Sequence, residues 1–407
     1  MDQILTNKLN TLIKSIKDSL TDINSSGKKG KGLEKAVKES RDIVTQVLEQ
    51  QLGGVSLEEQ INISQIPDDD WIITAQHIID VINDPFVPVN RYDTYFLQLF
   101  TYLKSTDTDT LVNNMSYSLK KIEQERLDDF ELLIQMLEQY KTGGDCDCGK
   151  NDFSFLNERA SVLKRHCYDF LWVFKHLDDY SSKRTFCAVL MNWTDLQTEA
   201  LISVRSLFKK YFEADIFSDG RNELFIDVGA HDGETIEGFV TVYGTEYQKI
   251  IAYEVSGDSI SKLNGKIDEL KFHDVIVLRK SVGSVNGKVA FKEEEDDVTL
   301  IGVAPKENKE EWLDAVRIDD EKETPTFIKI GATGNEKDVI TGCRKTIKKH
   351  SPKLAICLHH SYSNIWRIPS MIYEIKPDYK LYMRYYGGHI LPTDYVLYCK
   401  PANQSQK

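Results

Sequence analysis

The sequence predicts an α/β fold: a doubly wound, mostly parallel sheet behind a mainly α-helical N-terminal region. Three observations predict it. Beyond Asn222, short apolar runs alternate with helical patterns, the rhythm of successive βαβ units. The run Leu224-Phe-Ile-Asp-Val228 leads into Gly229-Ala-His-Asp-Gly233 and then a helix pattern, the strand, loop and helix that open a nucleotide-binding unit. Before residue 150, apolar residues recur at three- and four-residue steps, the period of helices with one buried face.

Taken in order, residues 4–23 and 33–52 read as helices joined by the basic linker Ser25-Ser-Gly-Lys-Lys-Gly-Lys-Gly32, a solvated loop. Helical patterns follow at 72–82, 95–103, 110–121 and 127–140, interrupted by Pro85 and Pro88. Residues 143–152 carry three glycines and mark the end of a helical region at 1–150. Residues 151–221 form a helical approach, with patterns at 155–177 and 187–212; the aromatics Phe170, Trp172 and Phe174 read as core. Strands are expected at 224–228, 250–253, 275–279, 326–330, 354–358, 379–385 and 395–399, within a domain at 222–401 ahead of a disordered tail at 402–407. The last two strands are separated by nine residues including Gly387, Gly388 and Pro392, too few for a helical crossover, so they pair antiparallel or lie apart.

Composition narrows the function classes. A chain of 407 residues exceeds one ordinary core, so two or three domains are expected. No window reaches the length of a membrane span, and residues 1–24 do not read as a signal peptide. The net charge of −13 argues against phosphate-driven nucleic-acid binding. Seven cysteines do not form a secreted disulfide framework, and the cytoplasm is the expected address. Cys146 and Cys148 have no companion pair, so a solvated loop is expected there rather than a zinc clip, and no metal site is assigned.

The opening loop carries the chemistry. Gly229 and Gly233 form G-x-x-x-G without the third glycine that cradles a pyrophosphate. Asp227 precedes the loop, and Glu254 ends the second strand where a carboxylate can accept both ribose hydroxyls. This combination suits S-adenosylmethionine better than NAD; the alternative is a tight turn that binds nothing.

Five motifs in order resemble the FkbM-type methyltransferases, S-adenosylmethionine-dependent enzymes that mostly methylate hydroxyls of sugars or natural products. They are Phe225-Ile-Asp-Val-Gly-Ala-His-Asp-Gly-Glu-Thr235, Pro325-Thr-Phe-Ile-Lys-Ile330, Pro352-Lys-Leu-Ala-Ile-Cys-Leu-His-His360, Trp366-Arg-Ile-Pro369 and Lys380-Leu-Tyr-Met-Arg-Tyr385. The resemblance covers about 222–401, is weaker at 180–186 and 210–217, and implies a seven-stranded Rossmann-like class I methyltransferase sheet. One departure stands out. Lys329-Ile-Gly-Ala-Thr-Gly-Asn-Glu336 has Gly331 and Thr333 where the family pattern has aspartate and glutamate, while Lys329, Gly334 and Glu336 match it.

The resemblance and the site chemistry together nominate the residues. Asp227, Gly229, His231 and Gly233 are expected around the methionine portion of the cofactor, Glu254 on its ribose, and Ser281 and Val282 at the adenine edge. His360 is the candidate base for a hydroxyl acceptor, or else a strand-end cap. Lys329 and Glu336 act directly or form a structural ion pair. Arg384 holds an acidic substrate group or pairs with Glu336. Tyr362 and Trp366 stack on a sugar or belong to the core. The leading expectation is an O-methyltransferase acting on a glycan or small-molecule acceptor. The alternative is a catalytically silent binding or scaffold module, favoured by Gly331 and Thr333. The helical region is a candidate homo-oligomerisation element.

Overall fold

The structure, a computed structural model, describes residues 7, 11, 14, 31–51, 61–140, 154–294, 297–303 and 312–402. Most of the helix expected at 4–23, most of the basic linker, the break at 143–152 with Cys146 and Cys148, and residues 403–407 lie outside the described residues. The chain divides into two compact units. One comprises Met1–His176, Phe186–Ile202 and His389–Leu391; the other comprises Leu177–Thr185, Ser203–Gly388 and Pro392–Lys407.

The first unit is helical. Its elements are α1 (Lys31–Gln51), α2 (Asp68–Asn83), α3 (Arg91–Ser105), α4 (Thr108–Glu125), α5 (Leu127–Tyr140), α6 (Ser154–Arg165), α7 (Cys167–His176), the C-terminal part of α8 (Tyr180–Asp195) and α9 (Thr198–Ile202). Side chains cap where polar residues precede the apolar periodicity. Asn90 accepts the N–H groups of Tyr92 and Asp93 at the start of α3, and Asp107 that of Thr110 in α4. Phe170, Trp172 and Phe174 are at most 2% exposed, and Phe174 stacks on Phe96 with centroids 3.9 Å apart. Within this core Asp169 accepts Thr74 Oγ1 at 2.8 Å and meets His77 at 2.5 Å and His166 at 2.8 Å. Burial opposes its charge, but these partners outweigh burial and hold its pKa at about 2.

The second unit is built on one sheet of ten strands: β1 (Leu224–Val228), β2 (Lys249–Glu254), β3 (Val275–Val282), β4 (Gly287–Glu294), β5 (Asp297–Val303), β6 (Trp312–Val316), β7 (Phe327–Ile330), β8 (Lys353–Cys357), β9 (Lys380–Tyr385) and β10 (Tyr395–Lys400). Their order is β5-β4-β6-β3-β2-β1-β7-β8-β10-β9. The strands β3, β2, β1, β7 and β8 run parallel, and β10 lies antiparallel to both β8 and β9. All seven expected strands therefore sit side by side, but the sheet is wider than the seven strands expected. The extra strands β4, β5 and β6 extend it past β3, with β6 parallel to β3 and β4 antiparallel to β6 and β5. Without them β3 would present a free row of backbone donors and acceptors. The alternation that marks them, as in Trp312-Leu-Asp-Ala-Val316, runs through a strongly charged segment.

The helices of this unit are α10 (Glu234–Tyr243), α11 (Gly257–Leu270), α12 (Glu336–Gly342), α13 (Arg344–His350) and α14 (Asn364–Ile375). Every residue of β1 is buried, as two covered faces require. On one face Phe212, Phe225, Phe239 and Phe327 form an aromatic core, with Phe225 and Phe239 stacked at 4.7 Å. Each such ring contributes roughly 1.5–3 kcal/mol by burial. Because β1 pairs with β2 on one side and β7 on the other, the strand order reverses there. The loops leaving the carboxyl ends of β1 and β7 diverge at that point, where open α/β sheets gather ligands. Among the described residues no helix is long and apolar enough to cross a membrane.

Candidate functional site

A cavity of about 440 Å³ opens at this edge, within the roughly 300–1,000 Å³ typical of small-molecule sites. Its lining includes Gly229 and His231 after β1, Glu254 and Ser256 after β2, Ser281 and Val282 at the end of β3, and the loop from Gly331 to Asn335 after β7. Six of the expected residues therefore share a wall: Gly229, His231, Glu254, Ser281, Val282 and the departing Gly331.

Close backbone approach explains the glycine after β1. Gly229 has φ +74°, and a Cβ there would stand 2.0 Å from the Gly331 carbonyl oxygen. The two loops meet only because that side chain is missing. Gly233, by contrast, lies outside the cavity lining; a Cβ on it would meet Leu263 of α11 at 2.8 Å. Its place is helix packing rather than the cofactor contact expected of it.

Glu254 is largely spent on the backbone. Oε2 accepts the His231 N–H at 2.7 Å, and Oε1 accepts those of Val255 at 2.7 Å and Ser256 at 2.9 Å. A carboxylate has about four acceptor positions, so capacity for about one further donor is left while all three bonds hold. A two-point grip on a ribose diol would require one loop N–H to share or yield its oxygen.

Asp227 is fully buried and is not part of the cavity wall, contrary to the expectation that it faces the cofactor. Its Oδ1 lies 3.0 Å from Lys329 Nζ. Burial raises its pKa, with the Lys329 ammonium opposing that shift. Lys329 itself donates to the carbonyls of Gly229 at 2.6 Å and Val228 at 3.3 Å. Its ammonium is 5.1 Å from the ring of Tyr211, so the pair is a buried support beneath the first loop.

Glu336 ties the β7 loop to His360. Oε1 accepts the N–H groups of Ala332 at 3.2 Å and Gly334 at 3.3 Å and lies 2.6 Å from His360 Nδ1, while Oε2 accepts Asn364 Nδ2 at 3.1 Å. Burial works against its charge, but His360 and the loop amides outweigh burial and lower its pKa. Burial likewise opposes the charge on His360; the Cys357 sulfur and the Glu336 carboxylate overcome it and push the imidazole up to about 10. Lys329 and Glu336 thus have different partners and do not form the ion pair considered from sequence.

Cys357, His359 and His360 cluster at the end of β8, with donor atoms within 4.8 Å of one another. The Asp394 N–H donates to His359 Nδ1 at 3.0 Å, and Cys357 Sγ lies 3.0 Å from the same nitrogen. Burial opposes charge on Cys357, but the two histidines outweigh it and lower its thiol pKa to about 5.

Two candidate substrate contacts lie elsewhere. Trp366 is 1% exposed and belongs to the core. Arg384 pairs with Asp179 at 2.7 Å and Asp215 at 2.9 Å, and donates to Ser182 Oγ at 2.9 Å, rather than meeting Glu336. Tyr362 is half-buried at the turn after β8.

Sequence reasoning missed Tyr211, Asn335 and Asn364. Tyr211 adopts φ 72° and is buried; a Cβ on Gly331 would stand 3.2 Å from its hydroxyl and 3.1 Å from Lys329 Nζ. Asn335 lines the cavity and donates to the Val282 carbonyl at 3.2 Å. No periodicity flags these residues; Tyr211 and Asn335 lie inside the stretches 210–217 and 329–336, but nothing local there marks their contacts.

No family model matches the chain, and no curated protein matches it. Among solved structures, the chain is similar to the methyltransferase FkbM from Methylobacillus flagellatus KT, with 23% identity and a TM-score of 0.51 over 61% of this chain and 62% of that one. The chain thus spans about three fifths of the structure it matches. Weaker likenesses are to an rRNA methylase from Streptococcus thermophilus (10% identity, TM-score 0.29, 47% of this chain and 92% of that one) and a precorrin-6y C5,15-methyltransferase from Geobacter metallireducens GS-15 (10%, 0.29, 44% and 81%). The FkbM likeness shows the fold: a Rossmann-like methyltransferase sheet, here extended by three strands.

Proposed function

We propose that the chain is an S-adenosylmethionine-dependent O-methyltransferase acting on a hydroxyl of a carbohydrate or related metabolite. One observation carries the reading: the cavity at the β1/β7 switch point, walled by the glycine loop, Glu254 and the end of β3. The residues present fit the donor. The backbone at 229–231 suits the methionine portion, Glu254 the ribose, and Ser281 and Val282 the base. When bound, the sulfonium supplies an electrophilic methyl group.

The protein's own residues align the acceptor and take its proton. His360, the candidate proton acceptor, is held at Nδ1 by Glu336, and its Nε2 lies 4.0 Å from Cys357 Sγ; it stands behind the cavity lining, so taking the proton requires the ring to turn from the sulfur. Its raised pKa keeps it protonated near neutrality, so turnover is expected to rise with pH as the free base forms. Lys329 acts as a positioning residue that holds the Gly229 carbonyl. Tyr362 is the aromatic platform left for a sugar face once Trp366 and Arg384 are placed elsewhere.

A second reading, a silent methyltransferase-like binding module, is favoured by the lack of a carboxylate at Gly331 and Thr333. Incubating the chain with methyl-labelled S-adenosylmethionine and a panel of glycans tests both. O-Methylated product supports the enzyme; donor binding without transfer to any acceptor supports the silent module. Absence of donor binding overturns both.

A further inference from the structure

Asn335 stands at the N-cap of α12, where an asparagine oxygen ordinarily accepts a main-chain N–H of the first helical turn. Here its side chain makes no such bond. The amide turns instead toward the end of β3, and Nδ2 donates to the Val282 carbonyl at 3.2 Å. Because a carbonyl oxygen can only accept, that bond fixes which end of the amide faces β3 and leaves Oδ1 as the free acceptor. Among the described residues nothing donates to Oδ1, and the atom is open to solvent. Asn335, Val282 and Ser281 all line the cavity.

This acceptor is held in place from several directions. The Asn335 N–H donates to the Ala332 carbonyl at 2.9 Å, and Glu336 gathers the amides of Ala332 and Gly334. The helix α12 meets the end of β3 at a second point, since a Cβ on Gly342 would stand 2.0 Å from the Gly283 carbonyl oxygen. An acceptor fixed in advance at a cavity wall loses little freedom when a ligand donates to it.

We propose that Asn335 Oδ1 accepts the 6-amino group of the donor's adenine and so selects an adenine nucleoside over one with a 6-oxo base. The inference rests on the reading of this cavity as the S-adenosylmethionine site and adds the residue that distinguishes the base. With Nδ2 committed to Val282, the amide presents only an acceptor, and the adenine amino group meets it as a donor. The 6-oxo group of hypoxanthine would set oxygen against oxygen and leave both without a hydrogen. Glu254 cannot supply this selectivity through the ribose, because the ribose is the same in both nucleosides.

The test is calorimetric titration of the full chain with S-adenosylhomocysteine and with S-inosylhomocysteine, in which a 6-oxo group replaces the amino group. The adenine compound is expected to bind at least about tenfold more tightly. Asn335→Ala, and Asn335→Ser as a second variant, are each expected to bring the two affinities within about threefold of one another. Asn335 is half-buried and Gly342 still seats α12 on β3, so both variants are expected to fold. A purely structural Asn335 would weaken both compounds alike and leave their ratio unchanged, as Glu254→Gln is expected to do. If neither compound binds, the reading of the cavity fails and this inference with it. If S-adenosylhomocysteine binds but the inosyl compound binds as tightly, or if the preference survives both substitutions, the cavity reading stands and the role given to Asn335 is overturned.

Discussion

The two sides of the cavity are built on different principles. On the β1/β2 side the backbone does the shaping: Gly229 lets two loops touch, and Glu254 collects three main-chain N–H groups. On the β7/β8 side a chain of side chains does it, from Asn364 through Glu336 to His360, and the loop itself carries no acid at 331 or 333. The first side is rigid and specified by shape. The second is an electrostatic relay whose behaviour depends on protonation.

The sharpest break of the first side is Gly229→Ala. Its Cβ would collide with the Gly331 carbonyl in a left-handed conformation, so a loss of about 3 kcal/mol is expected, near the top of the usual range for single substitutions. Urea denaturation measures it, and a loss under about 0.5 kcal/mol would show that the loops do not need this approach. Next in size is Glu254→Gln, which replaces a charged acceptor of three amides by a neutral one. Donor affinity is expected to fall about 30-fold, equivalent to about 2 kcal/mol, as read by calorimetry, and the melt to fall as well, because the amide NH2 faces at least one main-chain N–H that the carboxylate accepted.

Glu336→Gln probes the second side. Removing the anion 2.6 Å from His360 is expected to lower the imidazole pKa and move the rising limb of the pH–rate profile down by about one unit. A limb that stays in place would show that another group takes the proton. The sign for stability is opposite to that of a carboxylate. Because the folded pKa of His360 is raised, its contribution is complete below the ordinary histidine value and is lost as pH climbs toward about 10. The smallest effect on stability is expected from Gly331→Asp, whose Cβ meets the Lys329 ammonium and the Tyr211 hydroxyl at 3.1–3.2 Å, a contact relieved by shifts of a few tenths of an ångström. Stability should change by less than about 1 kcal/mol, while methyl transfer rises several-fold. Activity that appears only in this variant would identify the natural chain as a binding module.

The same contrast explains what could be read in advance. Shape-specified features leave local marks: the five-residue apolar run of β1, the glycine after it and the terminal Glu254 each stand in short stretches with a fixed period or spacing. The seven strands followed from those marks, and the antiparallel pairing of β9 with β10 is one of the two arrangements their spacing left open. Relay features do not. Tyr211 and Asn364 stand far along the chain from Lys329 and Glu336, and only folding brings them together. Asp227 illustrates the limit in reverse. An acid at the end of a strand reads as ligand-facing, but the alternation of β1 turns it inward to Lys329. The strands β4 to β6 escaped notice because their alternation lies among charges, where a solvated loop is the simpler reading.

The central claim is that the wall formed by Gly229, Glu254 and Ser281 holds an adenosine-bearing sulfonium donor. Calorimetric titration of the full chain with S-adenosylhomocysteine tests it most directly. The account predicts one site per chain, weakened about 30-fold by Glu254→Gln. No detectable binding, or binding indifferent to Glu254, would contradict it.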